Sequence, residues 1–316
     1  MPTQVAAVQA GSLLFDTQAT VAKLADLLSD AVNKMRGKGP RLVVFPEAFI
    51  GGYPKGNYFG APVGSRSDEG RDLFSRYFAG GIDVPGSETA MIAEMARDHC
   101  TDVVVGVVER EGGTLYCSVL CFSSEGVLLG KRRKLMPTAA ERVVWGFGDG
   151  STLDCFDAPS GRLASVICWE NYMPMLRMSQ YAQGVQVYTA PTVDDRPVWN
   201  STMTTIALEG RCFVVSASQF LTRQSVPDDF ETVQGEQRDT VLINGGSVIV
   251  SPLGQLLCGP SFGNEDTLHA ELDLTEIARG KMDFDVVGHY ARPDIFRLEV
   301  DRTPKQPVSS NSKAES

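Results

Sequence analysis

The chain is punctuated by short runs rich in β-branched residues. They are Val5 to Val8, Leu42 to Phe45, Val103 to Val108, Ala164 to Cys168, Gln186 to Thr189, Phe213 to Ser216 and Ser247 to Val250. Several are apolar on nearly every residue instead of on every second one. A strand with one face in water alternates, whereas a strand covered on both faces does not, so these runs predict sheets buried between other layers. Between them lie helical patterns. From Thr17 to Arg36 the residues Val21, Leu24, Ala25, Leu28, Ala31, Val32 and Met35 fall on one helical face. Glu88 to Asp98, Met175 to Gln183 and Asn200 to Glu209 read as further helices, the last two stopping at Gly184 and Gly210. Hairpins are expected between Glu109 and Lys131, with turns at Gly112-Gly113 and Ser124-Glu125-Gly126. The pattern is that of a layered α/β protein with a mixed sheet. No linker or fixed-period repeat divides it. A single domain is expected over residues 1–300, followed by a disordered tail over 301–316, whose residues from Pro304 onward are polar and rich in Ser and Lys.

Charge and cysteine usage narrow the class. With 29 Lys+Arg against 39 Asp+Glu the formal net charge is −10, which repels phosphate backbones and anionic lipid, so neither nucleic acid nor membrane is an expected partner. The apolar runs are far shorter than the roughly 20 residues that span a bilayer, and Met1-Pro2-Thr3-Gln4 opens no signal sequence. The seven cysteines form no C-x-x-C pair, and His99, His269 and His289 are far apart in the chain. Neither a close-spaced metal site nor a disulfide framework is expected, and a reducing cytoplasm is the expected compartment. No cofactor is implied.

Three places carry chemistry. Cys168 ends an apolar run and precedes Trp169-Glu170-Asn171, Pro174 and a helix. A strand-to-helix turn exposes a nucleophile beside backbone N–H groups, although a free cysteine in such a run also packs well as a buried apolar residue. Glu47 follows the strand Leu42 to Phe45 at the end where open α/β sheets place their sites, and partial desolvation there would raise a carboxylate toward a useful base. The run Lys131-Arg132-Arg133-Lys134 follows Val127-Leu128-Leu129. Four cations usually form a solvated face, yet strand alternation turns some of them inward, where a lysine could stabilise developing negative charge. The pattern does not say which. A cysteine, a glutamate and a lysine each just past a strand make a nucleophile set that needs no histidine.

The blocks Val44-Phe45-Pro46-Glu47-Ala48-Phe49, Gly130 to Thr138 and Cys168-Trp169-Glu170-Asn171-Tyr172-Met173-Pro174 resemble the signature blocks of the nitrilase superfamily of carbon–nitrogen hydrolases, most closely its true nitrilase branch. Glu141 to Ser151, Ala190-Pro191-Thr192, Ala207 to Phe213 and Phe284 to Tyr290 agree in order and spacing. The resemblance implies a four-layer αββα sandwich and subunits that pair into homodimers and larger spirals. It also implies an enzyme that converts a nitrile to a carboxylic acid and ammonia through a cysteine thioimidate, with some amide by-product. By the same resemblance Glu47 is the general base, Lys134 the charge stabiliser, Cys168 the nucleophile and Glu141 a fourth polar residue that supports them. An amidase using the same three residues is the rival within the superfamily.

Substrate contacts are expected from Trp169, whose backbone N–H is a candidate oxyanion donor, and from Tyr53, Trp145, Pro191 and Thr192, which lie in segments beside the expected pocket. Ordinary packing is the alternative for each. The segment Tyr53 to Gly60 also resembles the stretch found in nitrilases acting on aromatic, arylaliphatic or cyanoalanine-type nitriles.

Overall fold

The computed structural model describes residues 1–306 and 308. The apolar runs form two mixed seven-stranded sheets. The first contains β1 (Thr3–Gln9), β2 (Arg41–Val44), β3 (Ile82–Asp83), β4 (Asp102–Glu111), β5 (Thr114–Phe122) and β6 (Leu128–Arg133). The second contains β7 (Phe156–Ala158), β8 (Gly161–Ser165), β9 (Val187–Thr189), β10 (Phe213–Ser216), β11 (Phe220–Thr222), β12 (Val241–Val250) and β13 (Leu256–Phe262). The final strand, β14 (Asp266–Leu272), returns to the first sheet beside β1, giving the order β14-β1-β2-β4-β5-β6 with β3 on β4. The second sheet runs β11-β12-β10-β9-β8-β7 with β13 on β12.

Strand alternation divides the apolar residues into three cores. Val5, Ala7, Val44 and Val104 of the first sheet meet Leu163, Val187, Phe213 and Ile249 of the second, so this core lies between the sheets. The alternate residues Ala6, Val8, Val43 and Val103 pack on α1 (Thr17–Lys34) and α3 (Ser87–Asp98). On the far side, Ala164, Tyr188, Val214 and Val248 pack on α4 (Pro174–Tyr181) and α5 (Val198–Gly210). The layers are therefore α, β, β, α, and both faces of each sheet are covered, which is why the runs are continuous.

The β4–β5 and β5–β6 hairpins form at the expected turns. Helix α2 (Asp68–Ala79), not among the expected helices, packs Leu73, Phe74, Tyr77 and Phe78 against the core between the sheets. The short α6 (Thr275–Gly280) follows β14. Among the described residues no helix is long and apolar enough to cross a membrane. The expected tail begins in contact with the body, where Arg302 pairs with Asp154 and the Lys305 N–H donates to Asp149 Oδ2 at 2.7 Å. Its residues 307 and 309–316 lie outside the described residues.

Candidate active site

The four polar candidates converge between the sheets. Glu47 comes from the first sheet, just beyond β2. Phe45 still pairs with the Val104 carbonyl at 2.7 Å, and Ala48, with φ of +47°, then turns the chain. The turn lies so close to β4 that a Cβ on Gly106 would stand 2.2 Å from the Pro46 carbonyl oxygen and 2.6 Å from the Ala48 nitrogen. Both are backbone atoms, so glycine is required there. Glu47 is fully buried; its carbonyl accepts from Gln219 Nε2 at 2.8 Å.

The basic run resolves by register. Arg132 pairs with Val119 and Arg133 with Ser118, and the Lys134 N–H donates to the Cys117 carbonyl at 2.8 Å. Val119 and Cys117 face the space between the sheets, so Arg132 and Lys134 point inward. Lys131 and Arg133 project on the other face and both pair with Glu109. Lys134 is fully buried, and its Nζ donates to Glu47 Oε1 and Glu141 Oε2, each at 2.7 Å. Glu141 sits on the turn Ala139–Val143, where Oε2 also accepts the Thr138 N–H at 2.6 Å and Oε1 accepts the Tyr53 hydroxyl at 2.8 Å. The Lys134 contact ties Glu141 both to the basic run and to the buried cluster.

Cys168 belongs to the second sheet. It opens the turn Cys168–Tyr172 in the left-handed region, with φ of +48°, a conformation that costs a non-glycine residue of order 1 kcal/mol and recurs at functional sites. Its N–H donates to the Pro191 carbonyl at 2.9 Å, and Thr192 Oγ1 donates to its sulfur at 3.2 Å. Asn171 Nδ2 holds the Cys168 carbonyl at 2.8 Å, with Tyr188 donating to Asn171 Oδ1 at 2.9 Å.

Burial sets the electrostatics. Desolvation raises the Glu47 carboxyl above its ordinary value; Lys134 opposes this and Glu141 reinforces it. For Lys134, burial alone would lower the ammonium, but Glu47, Cys168, Cys117 and Glu141 outweigh it and hold the cation well above its ordinary value. Burial followed by Glu47 also pushes the Cys168 thiol up, with Lys134 and Thr192 pulling the other way, so the resting sulfur keeps its proton. Tyr53, raised by burial and then by Glu141, stays a hydrogen-bond donor. Within the Lys134 pair, Glu47 Oε1 is taken by Nζ and approached by the Cys117 thiol at 3.6 Å, while Glu47 Oε2 has no partner among the described residues. A carboxylate with one oxygen held and one free is arranged to accept a proton.

A cavity of about 240 Å³ opens onto the sulfur, lined by Tyr53, Lys55, Thr138, Glu141, Cys168, Trp169 and the segment Val193 to Arg196. A larger cleft of about 640 Å³ lies between Gly56–Arg76 and Asp229–Val233 and contains none of the four polar candidates. Of the five expected substrate contacts, Tyr53 and Trp169 line the cavity, and Thr192 reaches it through the sulfur. Trp145 and Pro191 do not line it. Trp145 is only 2% exposed, packed edge-on against Tyr53 and tied by Nε1 to the Tyr77 hydroxyl at 3.2 Å, with Lys134 Nζ 5.7 Å from its ring centroid. Pro191 contributes only its carbonyl to the Cys168 backbone. Trp145 therefore shapes the site from behind, held in the core between the sheets. Sequence reasoning did not single out Asp194 and Arg196. Trp169 donates to Asp194 Oδ2 at 2.8 Å, and the Arg196 guanidinium stacks on its ring at 4.7 Å. The available signal was their polar segment directly after Ala190-Pro191-Thr192.

A family model described as carbon-nitrogen hydrolase matches residues 4–282, and the chain belongs to that family. It is similar to a nitrilase of Bradyrhizobium diazoefficiens, with 53% identity covering 98% of this chain and 95% of that protein. An aliphatic nitrilase of Sinorhizobium fredii is 51% identical, covering 96% and 97%, and a bifunctional nitrilase/nitrile hydratase of Nicotiana tabacum is 51% identical, covering 98% and 90%. These relatives place the chain on the nitrilase branch of its superfamily. The fold is shared with a carbon-nitrogen hydrolase of Helicobacter pylori, at TM-score 0.70 and 18% identity over 94% of this chain and 96% of that one. It is also shared with Saccharomyces cerevisiae Nit3, at TM-score 0.69 and 19% identity over 92% and 96%.

Proposed function

We propose that this protein hydrolyses an organic nitrile to the carboxylic acid and ammonia, with Cys168 as nucleophile, Glu47 as general base, Lys134 as charge stabiliser and Glu141 as support for Lys134. The observation that carries this reading is identity of about one residue in two, along nearly the whole chain, with proteins named nitrilases. The pairing of Lys134 with both Glu47 and Glu141, behind a cavity that Glu141 lines together with Cys168, supports it.

A nitrile carbon is a weak electrophile, and a thiolate suits it better than a hydroxyl. The Cys168 proton passes to Glu47 as the S–C bond forms, and the nitrile nitrogen, protonated in turn, becomes a thioimidate. Water deprotonated by Glu47 adds to that carbon. The tetrahedral intermediate expels ammonia to leave a thioester, and a second water releases the acid and restores the thiol. Lys134 faces the developing negative charge throughout, joined by the Trp169 backbone N–H. If the tetrahedral intermediate expels the thiol instead, the product is the amide. The plant relative's bifunctional name supports that minor branch.

Seven free cysteines support a reducing cytoplasm. Exposed Met175, Val198 and Leu208 on α4 and α5 support pairing of two copies through that face, to be checked by light scattering. The decisive experiment incubates the protein with 3-phenylpropionitrile, benzonitrile, β-cyanoalanine and the matching amides, separating acid, amide and ammonia. Acid and ammonia from at least one nitrile are expected. Turnover of amides with none of any nitrile would make it an amidase.

A further inference from the structure

We propose that Glu170, braced by Arg132, is a positioning residue that sets the separation between Lys134 and Cys168. The inference rests on the nitrile-hydrolysis reading above.

The Glu170 carboxylate is buried and takes four hydrogen bonds in two matched pairs. Oε1 accepts from Arg132 Nη2 at 3.0 Å and from the Leu135 N–H at 2.6 Å. Oε2 accepts from Arg132 Nη1 at 2.7 Å and from the Ile167 N–H at 3.2 Å. Leu135 directly follows Lys134, and Ile167 directly precedes Cys168. One carboxylate thus ties the chain just past Lys134, in the first sheet, to the chain just before Cys168, in the second. Arg132, two residues before Lys134 on the same face of β6, closes the loop with a bidentate pair.

Stability alone does not account for this arrangement. Desolvating two ions consumes most of what their attraction returns, so a well-packed apolar pair would hold the sheets as well. Arg132 Nε is buried without a partner among the described residues, which adds to the cost. An apolar pair could not hold the Leu135 and Ile167 N–H groups. The carboxylate does, and those two groups flank the reacting residues. Glu170 touches neither the sulfur nor the Lys134 ammonium; it acts on both through the backbone.

The test uses Glu170→Asp, which keeps the charge but is one methylene too short to reach both backbone N–H groups and Arg132. Arg132→Lys keeps the charge and loses the bidentate pair; it stands in if Glu170→Asp does not fold. Active sites are counted by mass-spectrometric labelling of Cys168. Per labelled site, kcat is expected to fall about 10²-fold while KM moves less than about threefold, because misplacement of about 1 Å acts on the transition state. The amide share of product is expected to rise. A loss of labelled sites with unchanged kcat per site and unchanged acid-to-amide ratio would reduce Glu170 to a structural residue and overturn the proposal. A second arm needs no nitrile: the rate of Cys168 alkylation by iodoacetamide is followed against pH in the parent and in Glu170→Asp. A slower rate or displaced profile in the variant is expected, and identical profiles also overturn the proposal. If the parent is inert to every nitrile, only the nitrile reading falls, and the alkylation profiles decide the role of Glu170.

Discussion

Arg132 and Lys134 lie two residues apart on one face of one strand, both buried against carboxylates, yet their surroundings differ in kind. The Arg132–Glu170 pair is closed, with both carboxylate oxygens doubly occupied. The Lys134 cluster is open on one side: Glu47 Oε2 is unpartnered among the described residues, and the Glu141 side chain, 10% exposed, lines the cavity. A closed pair holds geometry; an open one has capacity left for a proton or a substrate. The outward pair, Lys131 and Arg133 on Glu109, supplies the contrast in charge balance. There two cations meet two carboxylates, both of them on Glu109 and Arg133 on Glu111 as well, whereas Lys134 alone serves two.

The comparison can be broken at its open end first. Cys168→Ala is expected to lower turnover by about 10⁴-fold or more while leaving circular dichroism and the urea midpoint unchanged. Glu47→Gln keeps the shape but cannot accept a proton, and kcat is expected to fall about 10²- to 10⁴-fold under steady-state assay. Stability sharpens the contrast. Arg132→Met leaves the Glu170 charge buried and unpaired, and urea unfolding is expected to show a loss of about 3–5 kcal/mol. Lys134→Met is expected to cost less, because Glu47, already raised by its burial, can take up a proton and discharge itself. Equal losses would mean that the open and closed pairs are energetically alike. Thr192→Val removes the hydrogen bond to the sulfur, and about 1 kcal/mol, or a several-fold fall in kcat, is expected.

The smallest effect is one of pH, and it has opposite signs at the two glutamates. Burial works against the Glu109 carboxylate, but Arg133, Lys131 and Ser118 outweigh it and hold it below its ordinary value of 4.5. Its contribution is therefore present above pH 4.5 and lost as pH falls through the depressed value. Glu109→Gln should be less stable than the parent near neutrality, and the gap should close on acidification. Glu47 is raised, so its contribution is complete below pH 4.5 and is lost as pH rises through the raised value. Urea titrations of Glu47→Gln and Glu109→Gln across pH would expose the two slopes, and the same sign at both would remove the distinction.

Much of this was legible in the chain. The apolar runs, their two-sided burial and the hairpin turns follow from local periodicity, and the family resemblance of the blocks around Glu47, Lys134 and Cys168 points to those residues. Less visible were α2, whose apolar face is only the short set Leu73, Phe74, Tyr77 and Phe78, and Glu170, which in sequence is one more acid after a cysteine. Trp145 and Pro191 were placed beside the pocket by their segments, but the direction of a side chain depends on what packs behind it.

The sequence by itself therefore determined the layers and the elements on which each reacting residue sits, because strand and helix periods are written within a few consecutive residues. It also limited the basic run to two alternating faces. Only the tertiary structure decided which face looks inward, through the register of β6 on β5, and which acid meets which base. Glu47 and Lys134 are 87 residues apart and Cys168 stands on the opposite sheet. Their ionisation depends on how little water remains between the sheets, a property of the assembled layers and not of any segment.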